Sequence, residues 1–203
     1  TAGSREAFFK KMSADKVYKR TGIQFMDFNS LFQLDTLKRN GCQALEHADK
    51  VLFIPDALIY MLTGKAICEY TVASTSQMLN PVTGDLDSEI LSALDIPREK
   101  FGVMTQPGTV VGVLTEQIQE ATGLGAIPVI AVAGHDTGSA VAAVPAKDME
   151  YAYLSCGTWS LLGVELDDPN LTKEAFDAEF TNEGGVFGTI RFLKNIIGLW
   201  LNQ

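Results

Sequence analysis

Apolar residues recur at helical spacing through the first third of the chain, and this pattern predicts a mainly helical start. Gly22 and Gly41 follow two of the periodic segments closely, as glycine often does at helix ends. A third segment has Pro55 in its first turn and ends at Thr63-Gly64, which is typical of a helix with defined ends. Later periodic segments are shorter. The predicted helices cover residues 6–20, 29–39, 55–62, 87–94, 115–122 and 139–144.

Two apolar segments near the middle of the chain predict strands on either side of a short helix. Residues 109–114 form the weaker segment, and residues 127–133 form the stronger one, in which apolar residues follow one another without alternation. Such a run is expected for a strand that is covered on both faces of a sheet. The β-α-β order favours a right-handed crossover between the two strands, and mixed α/β is the predicted fold class.

The last third of the chain is predicted to contain a hairpin and a helix. Residues 150–154 and 159–165 have strand-like composition, and Ser155-Cys156-Gly157-Thr158 forms the tip between them. Upstream of the hairpin, Pro145 marks the end of the small-residue helix, and we place a domain boundary after residue 147. Residues 192–203 form an apolar helix pattern that stops without a cap. This ending, and a start without methionine, indicate a piece of a longer protein.

Composition and charge argue against several classes of function. Sixteen basic and 25 acidic residues give a net charge of −9 without any basic stripe, which argues against nucleic acid and anionic membranes as partners. Three cysteines without a C-x-x-C pair argue against a disulfide framework or a zinc site. No segment approaches the roughly 20 apolar residues that a membrane span needs. We therefore expect a cytosolic protein, in which small anions could still bind at local sites.

Asp136 is the first candidate for chemistry. It lies between His135 and Thr137, just past a predicted buried strand, and the flanking Gly134 and Gly138 permit a ligand to approach closely. Its carboxylate could take a proton from a substrate hydroxyl, or it could cap the helix that follows. No cluster of Cys, His and carboxylates surrounds His135 at ligand spacing, so we predict a hydrogen-bonded histidine and no metal site.

The hairpin tip is the second candidate. Successive backbone N–H groups in a tight turn can bind an anion, and the hydroxyls of Ser155 and Thr158 add further donors. The same residue types are common in ordinary turns, so a phosphate site and a structural turn both remain open. The chain contains no Walker-type phosphate loop and no Gly-x-Gly-x-x-Gly dinucleotide motif.

Several blocks of sequence resemble one known family in their order and spacing. The earlier blocks are YKRTGIQF at 18–25, IPDAL at 54–58, LTGK at 62–65, EYT at 69–71 and ASTSQ at 73–77. The later blocks are HDT at 135–137, YLSCGTWS at 153–160, TNEGG at 181–185 and LKNIIGLWL at 193–201. Over nearly all 203 residues the chain is similar to the FGGY family of carbohydrate kinases, and within it to the members that phosphorylate L-rhamnulose at O1.

The resemblance implies an actin-like ATPase (ribonuclease H-like) fold with two α/β domains and a cleft between them. Residues 1–147 would be the later part of the sugar-binding domain, and residues 148–203 the start of the nucleotide-binding domain. ATP and Mg²⁺ are the implied cofactors, and a sugar and ATP are the implied small-molecule partners. The implied site residues are Asp136 as the base for the C1 hydroxyl, His135, Asp136, Thr137 and Asn195 at the sugar, and Thr158 and Gln203 at ATP.

The chain also departs from the family pattern. The family's Asp-Leu-Gly phosphate hairpin and its Gly-Gly-rich adenosine motif are not in the sequence, so we expect these 203 residues alone to be inactive. Two alternatives remain open. One is a kinase for another ketose or polyol, such as fuculose, xylulose or glycerol, and the other is a non-catalytic sugar-binding relative.

Overall fold

The computed structural model describes residues 3–148, 150–157 and 159–199. The helices are α1 (Ser4–Phe9), α2 (Ala14–Thr21), α3 (Ser30–Arg39), α4 (Gln43–His47), α5 (Ile54–Thr63), α6 (Tyr70–Ser74), α7 (Ser88–Leu94), α8 (Glu116–Thr122), α9 (Asp136–Ala142) and α10 (Lys173–Asp177). The strands are β1 (Ile67–Glu69), β2 (Leu79–Asn80), β3 (Asp85–Leu86), β4 (Val103–Thr105), β5 (Val110–Val113), β6 (Pro128–Ile130), β7 (Tyr153–Cys156), β8 (Trp159–Leu166), β9 (Thr181–Gly184) and β10 (Ile190–Ile197).

The early helices pack around one apolar core. Leu31 and Phe32 of α3 are fully buried, and the ring of Phe8 in α1 meets Phe32 edge-on with centroids 6.2 Å apart. The predicted positions are confirmed to within two residues at each end for four helices: α3, α5, α7 and α8. The single helix predicted at 6–20 is wrong, because the chain turns at residues 10–13. Ser13 adopts an extended conformation and begins a second helix, as serine at an N-cap often does.

The pairing predicted in the middle of the chain is also wrong. Strands β5 and β6 are antiparallel, with Val110 opposite Ile130, so they do not form a right-handed parallel crossover. The pair has only two strands in the described part of the chain, and one of its faces is left uncovered. Val129 and Ala131 are therefore buried while Ile130 and Val132 are exposed, although all four are apolar.

Strands β7, β8, β10 and β9 form an antiparallel sheet in that order. The hairpin predicted at its start is confirmed as β7 and β8. The helix predicted at 192–203 is wrong over residues 192–197, which belong to β10. This strand pairs with β8 over eight residues and with β9 over four. The strand conformation is favoured by backbone hydrogen bonds to both neighbouring strands and by the β-branched side chains of Ile190, Ile196 and Ile197. Together these outweigh the helical spacing of the apolar residues.

Strand β9 fastens this sheet to the helical part of the chain. The backbone N–H and the side-chain amide of Asn182 both donate to the carbonyl of Gly22, at 2.8 and 3.0 Å. Gly22 ends α2 with a φ of 66°, and a Cβ there would lie 2.8 Å from the Asn182 amide nitrogen. Nearby, the hydroxyl of Tyr18 donates to the carbonyl of Phe180 at 2.8 Å. Glycine is therefore required at position 22 both for its backbone conformation and for the close approach of β9.

Apolar side chains remain exposed on α5 and on the β5–β6 pair. Ile54 and Met61 of α5 are 78% and 68% exposed, and Val110 of β5 is 60% exposed. Leu58 and Ile130 belong to the same set, which we call the apolar surface. None of the helices in the described ranges has the length and hydropathy needed to cross a bilayer.

Candidate active site

A cavity of about 500 Å³ opens where the start of α9, the tip of the β7–β8 hairpin, strands β9 and β10 and residues 23–30 meet. Its volume lies in the range of small-molecule sites. Apolar side chains line part of it, and the rest is polar. The polar side chains on its wall are Gln24, Asn29, Ser30, Thr75, His135, Asp136, Thr137, Ser155, Thr181, Glu183 and Asn195.

The structure brings together the residues that the resemblance assigns to the sugar. These four line the one cavity: His135, Asp136, Thr137 and Asn195. The two residues assigned to ATP, Thr158 and Gln203, lie outside the described residues. Ser155 and Gly157, which precede Thr158 in the hairpin tip, do line the cavity. The hairpin tip and the Asp136 segment therefore face the same space.

Asp136 is the first residue of α9 and is exposed to the cavity. The N-cap position belongs to His135, so the alternative in which Asp136 caps the helix is wrong. Asp136 Oδ1 accepts a hydrogen bond from the backbone N–H of Thr137 at 2.7 Å. Within the described part of the chain Oδ2 accepts none, and it can take a proton from a bound ligand.

A buried carboxylate holds the segment before Asp136. Glu69 Oε2 accepts from the backbone N–H of Gly134 at 3.0 Å and from the hydroxyl of Thr71 at 2.7 Å. The Thr71 hydroxyl in turn accepts from the backbone N–H of His135 at 3.2 Å. Glu69 also caps α6, because its two oxygens accept from the N–H groups of Thr71 and Val72. One side chain thus joins the start of α6 to the segment that carries Asp136.

Asp56 lies directly behind Glu69. Its Oδ1 accepts from the backbone N–H of Glu69 at 3.1 Å, and its side chain is fully buried. The pKa of Asp56 is raised to about 7, chiefly by burial and also by the Glu69 carboxylate, while two backbone hydrogen bonds partly oppose the rise. Asp56 Oδ2 has no hydrogen-bond partner in the described ranges. A protonated carboxyl group is therefore the favoured form of Asp56 in the acidic range.

His135 contacts an ion pair from the antiparallel sheet. Its Nδ1 lies 2.9 Å from Nη2 of Arg191 and 3.4 Å from Oε2 of Glu183. The same Arg191 Nη2 lies 3.0 Å from that Glu183 oxygen. Burial lowers the pKa of His135 and Arg191 lowers it too, whereas Glu183, Asp136 and Glu69 raise it without reversing the shift. The ring is therefore neutral at physiological pH.

Asn195 closes the opposite side of the cavity. Its side-chain N–H donates to Oε1 of Gln24 at 2.8 Å, across 171 positions of sequence. Among the described residues, Asn195 Oδ1 and Gln24 Nε2 make no further hydrogen bond, so an acceptor and a donor remain available to a ligand. A hydroxyl group could use both, because it donates and accepts.

Several polar residues of the cavity wall received no role at the site from sequence reasoning. Gln24, Thr181 and Glu183 all line the cavity, and the hydroxyl oxygen of Thr181 is buried without a hydrogen-bond partner in the described ranges. They belong to the YKRTGIQF and TNEGG blocks, which were singled out only as marks of resemblance. The signal was present as polar residues in those blocks, but their place beside Asp136 depends on long-range packing.

The described residues contain no group of three or more His, Cys, Asp or Glu side chains that could hold a metal ion. A metal that also binds a substrate and waters needs fewer protein ligands than that. Mg²⁺ is commonly held in this way, by substrate phosphates with one or two carboxylates and several waters. The donor set is compatible with a metal that arrives with a nucleotide.

Comparison with protein-family models identifies two matches along the chain. Residues 1–143 match the N-terminal domain of the FGGY family of carbohydrate kinases, and residues 152–203 match the C-terminal domain of the same family. Among curated relatives, a rhamnulokinase from Bacteroides thetaiotaomicron is 64% identical over 201 residues, which is 99% of this chain and 41% of the relative. A rhamnulokinase from Bacillus subtilis is 46% identical over 192 residues, covering 95% and 39%.

Solved structures show the same fold. A gluconate kinase from Lactobacillus acidophilus superposes with a TM-score of 0.83 at 22% identity, over 100% of this chain and 41% of that one. A glycerol kinase from Plasmodium falciparum, solved with ADP, gives 0.78 at 15% identity, over 98% and 41%. The predicted actin-like ATPase (ribonuclease H-like) fold is thereby confirmed as a partial one. The chain spans about two fifths of the length of the relatives that it matches.

Proposed function

Because this chain belongs to the FGGY family of carbohydrate kinases, we propose that the full-length protein containing it transfers a phosphoryl group from ATP to O1 of L-rhamnulose. The choice of sugar is supported by the 64% identity to a relative named rhamnulokinase. A sequence that covers about two fifths of such a relative carries part of the machinery, so the activity belongs to the longer protein.

One observation supports the proposed chemistry above the others. Asp136 presents a carboxylate oxygen without a partner in the described ranges to a 500 Å³ cavity whose walls carry hydroxyl, amide and imidazole groups. Phosphoryl transfer to an alcohol needs a base within reach of the attacking hydroxyl and groups that orient the acceptor. We assign the base to Asp136 and sugar contacts to His135, Thr137 and Asn195.

The ATP contacts in this proposal are Thr158 and Gln203. Thr158 is supported by the cavity wall at Ser155 and Gly157, which brings the hairpin tip close to the Asp136 segment, whereas Gln203 rests on the family resemblance alone. A tip of this kind can offer backbone N–H groups and hydroxyls to phosphate oxygens. Mg²⁺ bound with the nucleotide would neutralise charge on the phosphates during transfer.

We also propose that the chain contains parts of two domains with different functions. Residues 1–147 would complete the sugar-binding domain and residues 148–203 would begin the nucleotide-binding domain. The boundary falls between the two family matches, which end at residue 143 and resume at residue 152. In this arrangement the cavity takes its walls from both domains, and closing the cleft would exclude water from the reacting groups.

The decisive experiment is an ADP-release assay on the full-length protein with ATP, Mg²⁺ and a panel of L-rhamnulose, L-fuculose, D-xylulose and glycerol. We expect kcat/KM for L-rhamnulose to exceed that for each of the others by at least about tenfold, because one misplaced hydroxyl leaves polar site groups unpaired. A preference for another compound in the panel would change the assigned substrate but leave the assignment as a carbohydrate kinase unchanged. If none of the four compounds causes ADP release but calorimetry shows sugar binding, the result would favour a non-catalytic relative.

A further inference from the structure

Arg191 is a fully buried cation beside the candidate active site, and phosphoryl transfer gives it no direct task. Its Nε donates to the carbonyl of Gly184 at 3.2 Å, which fixes the guanidinium against strand β9. Its Nη2 lies 3.6 Å from where a Cβ would stand at Gly138, in the first turn of α9. The guanidinium is therefore packed under the helix that begins at Asp136.

The contact between Arg191 and His135 determines which imidazole nitrogen carries the proton. A guanidinium has only N–H donors and keeps its charge at every accessible pH. At 2.9 Å from Arg191 Nη2, His135 Nδ1 must therefore accept a hydrogen bond, which requires that it carry no proton. A neutral imidazole with an unprotonated Nδ1 has its proton on Nε2.

Four charged groups act on this ring: Glu183 from β9, Arg191 from β10, Asp136 from α9 and Glu69 from β1. The carboxylates favour the charged imidazolium, while burial and Arg191 favour the neutral ring and prevail, so the pKa of His135 is lowered. Glu183 also balances the buried charge of Arg191, with Oε2 3.0 Å from Nη2. Without that carboxylate, the guanidinium would be a buried charge without an anionic partner, which is costly.

We propose that Arg191, supported by Glu183, is a positioning residue that holds His135 in the neutral Nε2–H form, so that the ring donates a hydrogen bond to a sugar hydroxyl. Nε2 makes no hydrogen bond within the described part of the chain, and His135 lines the cavity, so this donor is available to a ligand. The form of the ring follows from the geometry alone, and the sugar hydroxyl as its acceptor rests on the proposed function. Asp136 then remains the base, because the imidazole nitrogen that could accept a proton is already engaged.

The first test is ¹⁵N NMR of the full-length protein with labelled histidine, in which the His135 signals are assigned by their loss in His135→Gln. We expect Nδ1 at the unprotonated position and Nε2 at the protonated one near neutral pH. In Arg191→Met, where the Glu183 carboxylate stays beside Nδ1 without a competing donor, we expect a protonated Nδ1 and an unprotonated Nε2 in most molecules. A protonated Nδ1 in the unmodified protein overturns the proposal, and so does an Arg191→Met spectrum identical to it. If the variant fails to fold, the spectrum of the unmodified protein alone still shows which nitrogen carries the proton.

The second test separates positioning from a general structural role. Arg191→Met should raise KM for the sugar about 5- to 10-fold, the loss of roughly one hydrogen bond, with kcat changed by less than about threefold. In a His135→Gln background the same substitution should change KM less than about twofold, because a glutamine amide is always a donor. An equal rise in both backgrounds would overturn the proposal. Absence of kinase activity would defeat the proposed function while the NMR result still decides the form of the ring.

Discussion

Asp136→Asn is the most direct test at the scale of a single residue. Asparagine keeps the size of the side chain and the acceptor that binds Thr137 N–H, but it cannot take a proton. In the full-length protein we expect kcat for the sugar to fall about 10²–10⁴-fold, the range for loss of general base catalysis, while sugar affinity by calorimetry stays largely intact.

The control is Asp168→Asn, an exposed carboxylate that does not line the cavity, which should leave kcat unchanged. Turnover by Asp136→Asn at the rate of the unmodified protein would remove Asp136 from its proposed role. A large loss of sugar affinity with normal structure would instead place it among the binding groups.

Asp56 predicts a pH dependence of stability. Its folded pKa of about 7 lies above the unfolded value of 3.8, so the folded protein holds a proton that the unfolded chain releases. Stability from this group is complete below about pH 4 and falls as pH rises to about 7, by roughly 2–4 kcal/mol in total. Asp56→Asn should remove this fall, measured as the free energy of unfolding in urea from pH 4.5 to 8. Parallel profiles for the two proteins would contradict it.

Single residues were predictable from sequence where a local pattern marked them. Asp136, His135 and Thr137 follow one another, so their shared position could be predicted from one motif. Arg191 and Glu183 could not be assigned in this way. Arg191 lies in none of the family blocks, Glu183 was noted only as part of TNEGG, and their contacts with His135 span more than 45 positions. The helix-cap alternative at Asp136 could be excluded only with the backbone, which puts His135 at the N-cap position, and the role of Asp136 as a base stays a prediction.

At the scale of elements, Glu69 is the helix-capping residue whose substitution should lower activity as well as stability. Glu69→Gln replaces an acceptor oxygen with an amide N–H that faces the donors of Val72 or Gly134. We expect the free energy of unfolding of the full-length protein to fall by about 1–3 kcal/mol, as for a buried cap left partly unsatisfied. Since the Gly134–His135 segment loosens with it, kcat should also fall, by about tenfold or more.

The control is Asp87→Asn, because Asp87 accepts from two backbone N–H groups at the start of α7 but has no contact with the Gly134–His135 segment in the described residues. It should cost comparable stability in urea unfolding and leave kcat within about twofold. An equal loss of activity in both variants would show that Glu69 acts through general stability alone.

The elements themselves were predicted best where end signals were local. Helices α3, α5, α7 and α8 have glycine, asparagine, proline or aspartate at their ends, and their positions were confirmed. Strand β10 was predicted as helix, because the apolar residues in it recur at helical spacing and only its two neighbouring strands determine the extended form. The antiparallel pairing of β5 with β6 could not be predicted from local sequence either, because an apolar segment is compatible with parallel and with antiparallel pairing.

At the scale of the whole molecule, the apolar surface on α5 and the β5–β6 pair predicts association. When these 203 residues are expressed alone, Leu58 and Met61 are exposed to water together with Ile54, Val110 and Ile130. Surfaces of this kind mark interfaces or aggregation sites. We expect concentration-dependent oligomers in light scattering, no ATP-dependent sugar phosphorylation, and fewer oligomers after Leu58→Gln and Met61→Gln are combined.

The matched control combines Lys10→Gln and Glu174→Gln, two exposed charged positions outside α5, β5, β6 and the helix between these strands, and should not reduce the association. A monomer at all concentrations would show that the exposed side chains do not drive contact between copies. Phosphorylation of a sugar by the isolated chain would contradict the expectation that the missing family motifs are needed for turnover.

The attachment of β9 and β10 to the helical part has a consequence for the order in which the molecule assembles. Asn195 contacts Gln24 across 171 positions, and Asn182 contacts Gly22 across 160. The contacts that close the cavity therefore join residues that are far apart in the sequence. Long loops carry the largest closure entropy and slow the folding of what they join. During synthesis the helical part is complete well before β10 leaves the ribosome, and the cavity is therefore among the last features of this segment to form.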